Sequence, residues 1–242
     1  MKAFARRLLR ASASLGVFAF WACMFMAARN YPSDYDWQYM TISSLVYTDR
    51  NPNGYLWAWS GIVLCGLGGL LWALQVASKR SPLVAEPRAG TWALGVGYLS
   101  MIACALLPEG LLPIPKAHEL LALIAFIGIC IGIVHTTFKE VQSSVRAEER
   151  PVNTRALAAV LAASALSPIV LAALAQSYVS HELPELPWVN VSWRARGIPV
   201  YLSFAFWEWF ACGLFSIYMV VLSLTTIRRR NRPPESAKAL LD

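Results

Sequence analysis

The stretch from Tyr55 to Ala77, YLWAWSGIVLCGLGGLLWALQVA, decides the fold. It is apolar along its length, holds no Lys or Arg, and as an α-helix extends about 34 Å, enough to cross a hydrocarbon core of about 30 Å. A backbone in lipid must satisfy its own hydrogen bonds, so a continuous run of this kind reads as a helix, whereas a membrane β-barrel needs short alternating segments. Working outward, five more runs of the same character cover residues 11–28, 89–107, 119–138, 156–179 and 198–227. The expectation is an all-α integral membrane protein, a six-transmembrane-helix bundle forming a single domain over residues 1–227. A basic cytoplasmic tail follows at 228–242.

Composition agrees. Of the 242 residues 57% are hydrophobic and only 14% charged, with mean hydropathy +0.48, an apolar excess that a core of this size cannot bury. Disordered chains, disulfide scaffolds and ordinary cytosolic enzymes are excluded. The net charge of +7 invites a nucleic-acid reading, but its distribution argues against one. Sixteen of the 21 Lys and Arg residues fall at the N-terminus, in the second and fourth connections and in the tail. Arg29, Arg50, Lys116, Arg194 and Arg196 are left for the other side, together with most of the acids. Under the positive-inside rule both termini are cytoplasmic, and the basic excess faces anionic lipid heads. Expected partners are membrane lipids and a membrane protein, not nucleic acid. The first run is bulky, with Phe18, Trp21 and Phe25, and is read as a retained anchor rather than a cleaved signal.

Packing signals are plain. Gly128 and Gly132, Cys65 and Gly69, and Ala93 and Gly97 recur at spacing four, which lets helices approach closely in lipid. Pro168 interrupts the fifth run and frees a carbonyl near Ser164. The five cysteines lie singly within the runs and read as small packing residues, without metal or redox spacing.

Polar information gathers on the outer side. The first loop holds YDWQYMTISSLVY, Tyr35 to Tyr47, rich in aromatic and apolar residues. It predicts a short interfacial helix, read either as an aromatic belt or as a lid over an outward-facing cavity. The short third connection brings Glu109, His118 and Glu119 to the same level. Glu119 in a first helical turn complements the helix dipole, and His118 reads as a general base or ligand, or as an interfacial surface residue.

Glu208 stands in Phe206-Trp207-Glu208-Trp209-Phe210, where an unpaired charge is costly. Counted from Ile198 it lies about 15 Å along the last helix. Counted back from Arg228 it reaches the outer interface. Either an ion pair with Arg29, Arg50, Arg194 or Arg196 explains it, or a role in proton transfer. The candidate catalytic set is Glu208, His118 and Glu109. The candidate substrate-binding set is Asp34, Asp36, Arg50, Glu119, His181, Arg194 and Arg196. No HxxxH or HExxH pattern supports a metal, and no cofactor is expected. Asn190-Val191-Ser192 is a glycosylation sequon on the outer side.

Ile42-Ser43-Ser44-Leu45, followed by Asn51-Pro52-Asn53-Gly54 directly before a span, resembles a bacterial family of six-span membrane proteins of unknown function. Leu107-Pro108-Glu109 and His118 fit the same pattern. More distantly the chain is similar to DRAM/FRAG-type six-span proteins, associated with lipid remodelling and membrane homeostasis. The overlap covers about residues 30–140 and brings no catalytic residues with it. It implies a six-helix bundle in a bacterial cytoplasmic membrane and a function concerned with lipid. Three readings follow: binding or remodelling of lipid at an outward-facing polar site, a non-catalytic membrane subunit or scaffold, and a small-solute transporter. Charge-free inner halves speak against the last.

Overall fold

A computed structural model describes residues 2–77, 88–107, 117–147, 154–184 and 192–230. Six long helices carry the architecture: α1 (Lys2–Arg29), α3 (Tyr55–Ala77), α4 (Arg88–Leu106), α5 (Ala117–Ala147), α6 (Thr154–Glu182) and α8 (Phe204–Arg230). Two short ones, α2 (Ile42–Val46) and α7 (Ser192–Ala195), lie in the first and last long connections. Each long helix packs on its neighbours in the chain, and α8 returns to α1, so the six close into a ring.

All six contain a segment long and apolar enough to span a bilayer. Only a third to under a half of each such segment is buried, so the remaining apolar faces point outward. Phe18, Phe25, Leu74, Trp92, Ile131, Leu174 and Ile217 are among the exposed side chains that make this belt. An outward apolar belt with the backbone paired inside helices is what lipid requires of a protein surface.

The span boundaries agree with the sequence reading within two residues for the first four; the fifth covers Ala163–Glu182 rather than 156–179, and the last starts at Phe204 rather than Ile198. Pro199 opens a 3-10 turn over Val200–Leu202, and Ser203 is extended before α8 begins. A proline has no amide hydrogen and disfavours helix for the residue before it, so the apolar run is cut there.

Small residues set the helix spacing. On α4 and α5, a methyl at Gly128 meets the Ala93 carbonyl at 2.8 Å and Gly97 Cα at 2.9 Å, while one at Gly97 meets Ile129 N at 2.7 Å. Gly132 is covered by Leu94 and the Gly90 carbonyl. On α1 and α3, Gly68 meets the Ser12 carbonyl and Gly16 meets the Leu64 carbonyl. The Ser12 hydroxyl also donates to the Gly68 carbonyl at 2.9 Å. Pro168 lies within α6, and the carbonyl it deprives, that of Ser164, accepts from the Ser167 hydroxyl at 3.2 Å. The Ser164 hydroxyl pairs with Tyr218 of α8 at 2.6 Å.

Two apolar clusters stack along the ring. One joins Val17, Trp72, Leu94, Tyr98, Ile129, Ile133, Phe215 and Met219. The other joins Phe20, Met24, Ile62, Ala105 and Trp209 to Ile42, Leu45 and Val46 of α2. The short helix of the first loop is thus part of the core at its end of the bundle. A third, smaller cluster sets Tyr39 against Val179 and Trp193.

Candidate functional site

The first loop is held by hydrogen bonds whose partners are buried backbone groups. Tyr35 Oη lies 2.9 Å from the carbonyls of both Met40 and Thr41. Trp209 Nε1 donates to Met40 O at 3.1 Å and Trp59 Nε1 to Val46 O at 3.1 Å. Asn51 Nδ2 reaches the Ala27 and Leu45 carbonyls at 3.2 and 3.1 Å, tying α1 to α2. Burial and, second, the nearby Glu208 carboxylate push the Tyr35 phenol up, so it stays protonated and able to donate. These bonds satisfy carbonyls that a buried loop otherwise strands, each worth about 1–3 kcal/mol if left unpaired.

Glu208 enters this arrangement as a cap. Thr41 occupies the N-cap position of α2, but its side chain makes no capping bond. Instead Glu208 Oε2, in the second turn of α8, accepts from the Ile42 amide at 2.9 Å. A carboxylate on a free helical N–H is favourable, because the first amides of a helix have no partner within it. Among the described residues no cation pairs with Glu208, although the four arginines on its side were its expected partners. Arg194 is committed elsewhere: Nε donates to Asp36 Oδ2 at 2.5 Å, and Nη2 to Asp36 Oδ1 at 3.0 Å and to Gln38 Oε1. It also lies over the Tyr39 ring, whose hydroxyl donates to Ile198 O. Arg50 lies over the Tyr47 ring at 5.0 Å.

One residue on from Ile42, Ser43 Oγ lies 3.3 Å from His118 Nε2. His118 opens α5, is buried, and has its other ring nitrogen 3.4 Å from Cys104 Sγ of α4. Its ring also packs on Tyr47. Thus α2, α4, α5 and α8 deliver Ser43, Cys104, His118 and Glu208 to one place.

These four residues line a partly open cavity of about 120 Å³. The rest of its wall is largely apolar and runs through Phe20, Ile62, Phe126, Ile129, Phe215 and Met219. The cavity therefore gathers these four groups in one place, while its body is largely apolar, with Tyr98 and Ser216 the other polar side chains on the wall. A serine hydroxyl against an imidazole nitrogen is the geometry of a nucleophile and its base. Here the far imidazole nitrogen meets a thiol rather than a carboxylate, and Glu208 is spent on a backbone amide, so the orienting acid of a hydrolytic triad is missing among the described residues.

The other residues singled out from sequence are dispersed. Asp36 and Arg194 meet each other away from the cavity, and Arg50 stacks on Tyr47. Asp34, Glu119, His181 and Arg196 are exposed, His181 lying 3.9 Å from Glu182. Glu109, and Asn190 of the sequon, lie outside the described residues. No group of His, Cys, Asp and Glu able to hold a metal occurs among the described residues. Sequence reasoning gave no site role to Ser43 and Asn51, which entered only through the motifs of the resemblance, or to Cys104, read as a packing residue.

Fold and surface define the class: a polytopic α-helical membrane protein, embedded by six helices. The chain belongs to the family described as Protein of unknown function (DUF998), whose model matches residues 14–225. That match takes in the last two spans, which the sequence motifs alone did not reach. No curated protein and no solved structure matches the chain.

Proposed function

We propose that the protein binds a membrane lipid, or an amphiphile derived from one, in the cavity that begins at Ser43, His118 and Glu208. The carrying observation is the cavity's composition: Ser43, Cys104, His118 and Glu208 gathered in one place, and walls that apart from Tyr98 and Ser216 are apolar, inside a membrane bundle. Small-molecule sites are typically apolar concavities with a few placed polar groups. On this reading residues 1–227 form one membrane domain and 228–242 a basic cytoplasmic tail. Both termini are cytoplasmic, and α2 closes the outer end of the bundle at headgroup level in a bacterial cytoplasmic membrane. The sixteen-to-five division of basic residues supports that orientation.

Lipid retained by the purified protein tests the reading. Native mass spectrometry of wild type should show a bound species that Ala122→Trp, which fills the cavity, displaces. Identical lipid content in both proteins overturns the proposal in favour of a scaffold. Orientation is tested separately by an Asn53→Cys variant, expected to react with an impermeant maleimide in intact cells. Reaction only after lysis reverses the topology.

A further inference from the structure

The polar end of the cavity offers acceptors and no fixed positive charge. From this we infer that its occupant, resting on the lipid-site reading above, is an amphiphile with a hydrogen-bond-donating and non-anionic head, an amine or alcohol rather than a phosphate or carboxylate.

Four observations converge. Among the described residues no Lys or Arg lines the cavity. Two of the arginines expected on that side have defined contacts elsewhere, Arg194 with Asp36 and Gln38, and Arg50 on the Tyr47 ring. Glu208 uses Oε2 on Ile42 N–H, and among the described residues its Oε1 has no partner, leaving an acceptor at the cavity wall. Both nitrogens of His118 already face partners, Ser43 Oγ and Cys104 Sγ, so the imidazole is bracketed rather than free to clasp an anion.

Physical chemistry then decides between head classes. An anionic head beside a carboxylate, in surroundings of low dielectric with no cation, suffers repulsion and desolvation together. A hydroxyl or ammonium head donates to Glu208 and loses little. Sites that recognise phosphate by side chain use Arg or Lys, and neither lines this cavity among the described residues; the start of α5 reaches it at His118, with Glu119 in the same turn. Size adds a restriction. About 120 Å³ is close to the cavity of about 150 Å³ that admits benzene, so the head and its first carbons fill it and the rest of the chain leaves through the open side.

The experiment uses photoreactive dodecyl probes that differ only in their heads, amine, alcohol, carboxylate and phosphate, each at equal mole fraction in nanodiscs holding the full chain. Equal mole fraction removes differences in partitioning. The expected result is cavity labelling by the amine and alcohol probes at least about tenfold above the phosphate and carboxylate probes. Glu208→Gln should bring the amine down towards the phosphate, leaving the alcohol within about twofold of wild type. Labelling by the phosphate or carboxylate probe equal to that by the amine, and blocked by Ala122→Trp, overturns the head assignment while the site itself survives. Labelling by no probe above that of the Ala122→Trp protein overturns the lipid-site reading and this inference with it. The ranking is read on wild type, so it stands whether or not a variant folds well.

Discussion

The α4–α5 pair and the end of the bundle around α2 are both tightly packed, by opposite means. Between α4 and α5 the backbones themselves meet at Gly97 and Gly128, and Leu94 packs directly over Gly132. Around α2 the contact is built from buried polar groups: Tyr35, Asn51, Trp59, Glu208 and Trp209 each bond a main-chain group of the first loop or its flanks. The difference bears on the site proposed above. A glycine seam leaves no room between its helices and offers no polar side chain. The polar end adjoins a cavity, and its hydrogen bonds, unlike steric contact, can be exchanged.

Substitution at the seam should have the largest effect. Gly128→Leu puts a branched side chain where even a methyl lies within 3 Å of α4 backbone. Overpacking against main chain cannot be relieved by a rotamer change, so a loss of 3 kcal/mol or more, about the top of the usual range, is expected. Thermal unfolding in detergent measures it, and a variant as stable as wild type would remove the seam from the comparison.

Asn51→Ala comes next, at about 2 kcal/mol, because it strands the Ala27 and Leu45 carbonyls together. Hydrogen exchange should report faster exchange confined to residues 42–55, with α4 and α5 unchanged. Uniform loosening would show that the two regions are not separable.

Glu208 sharpens the comparison further. Glu208→Gln keeps an oxygen for the Ile42 amide, so exchange at 42–46 should match wild type. Glu208→Ala leaves that amide without its partner and should accelerate exchange there, at a cost of about 1 kcal/mol. Equal exchange in both variants would mean that the cap contributes nothing. Smallest of all is Asp36→Asn. Its partner Arg194 is well exposed, and surface ion pairs contribute little, so unfolding should shift within experimental error. A large shift would extend the tightly held polar region out to the α6–α8 connection.

Much of the fold was legible because lipid imposes a one-dimensional rule. Length and apolarity of a run suffice to assign a spanning helix, and spacing of small residues suffices to locate Ala93, Gly97, Gly128 and Gly132 on a contact face. The carbonyl freed by Pro168 was also predictable, since the missing amide is local. The partner of Glu208 was not. Pairing by charge points to arginines, whereas the group it meets is a backbone amide that becomes a donor without a mate only once α2 begins at Ile42. His118 was legible as a polar residue at a helix start, but not its neighbours Ser43 and Cys104, which come from 75 residues before it and from the preceding helix.

By itself, then, the sequence determined that this chain carries six runs able to cross a membrane, where the first four of them begin and end, and that Glu208 is out of place in its aromatic run. Those properties depend on local composition and helical period. Only the tertiary structure decided that the six helices close into a ring, that α2 is drawn into its end, and that Glu208, His118, Ser43 and Cys104 share one cavity. Such convergence depends on which faces of distant helices meet and at what height. Apolar helices in lipid have no hydrophobic drive to choose a face, so the choice rests on close backbone approach and on buried hydrogen bonds, which form only between elements already brought together.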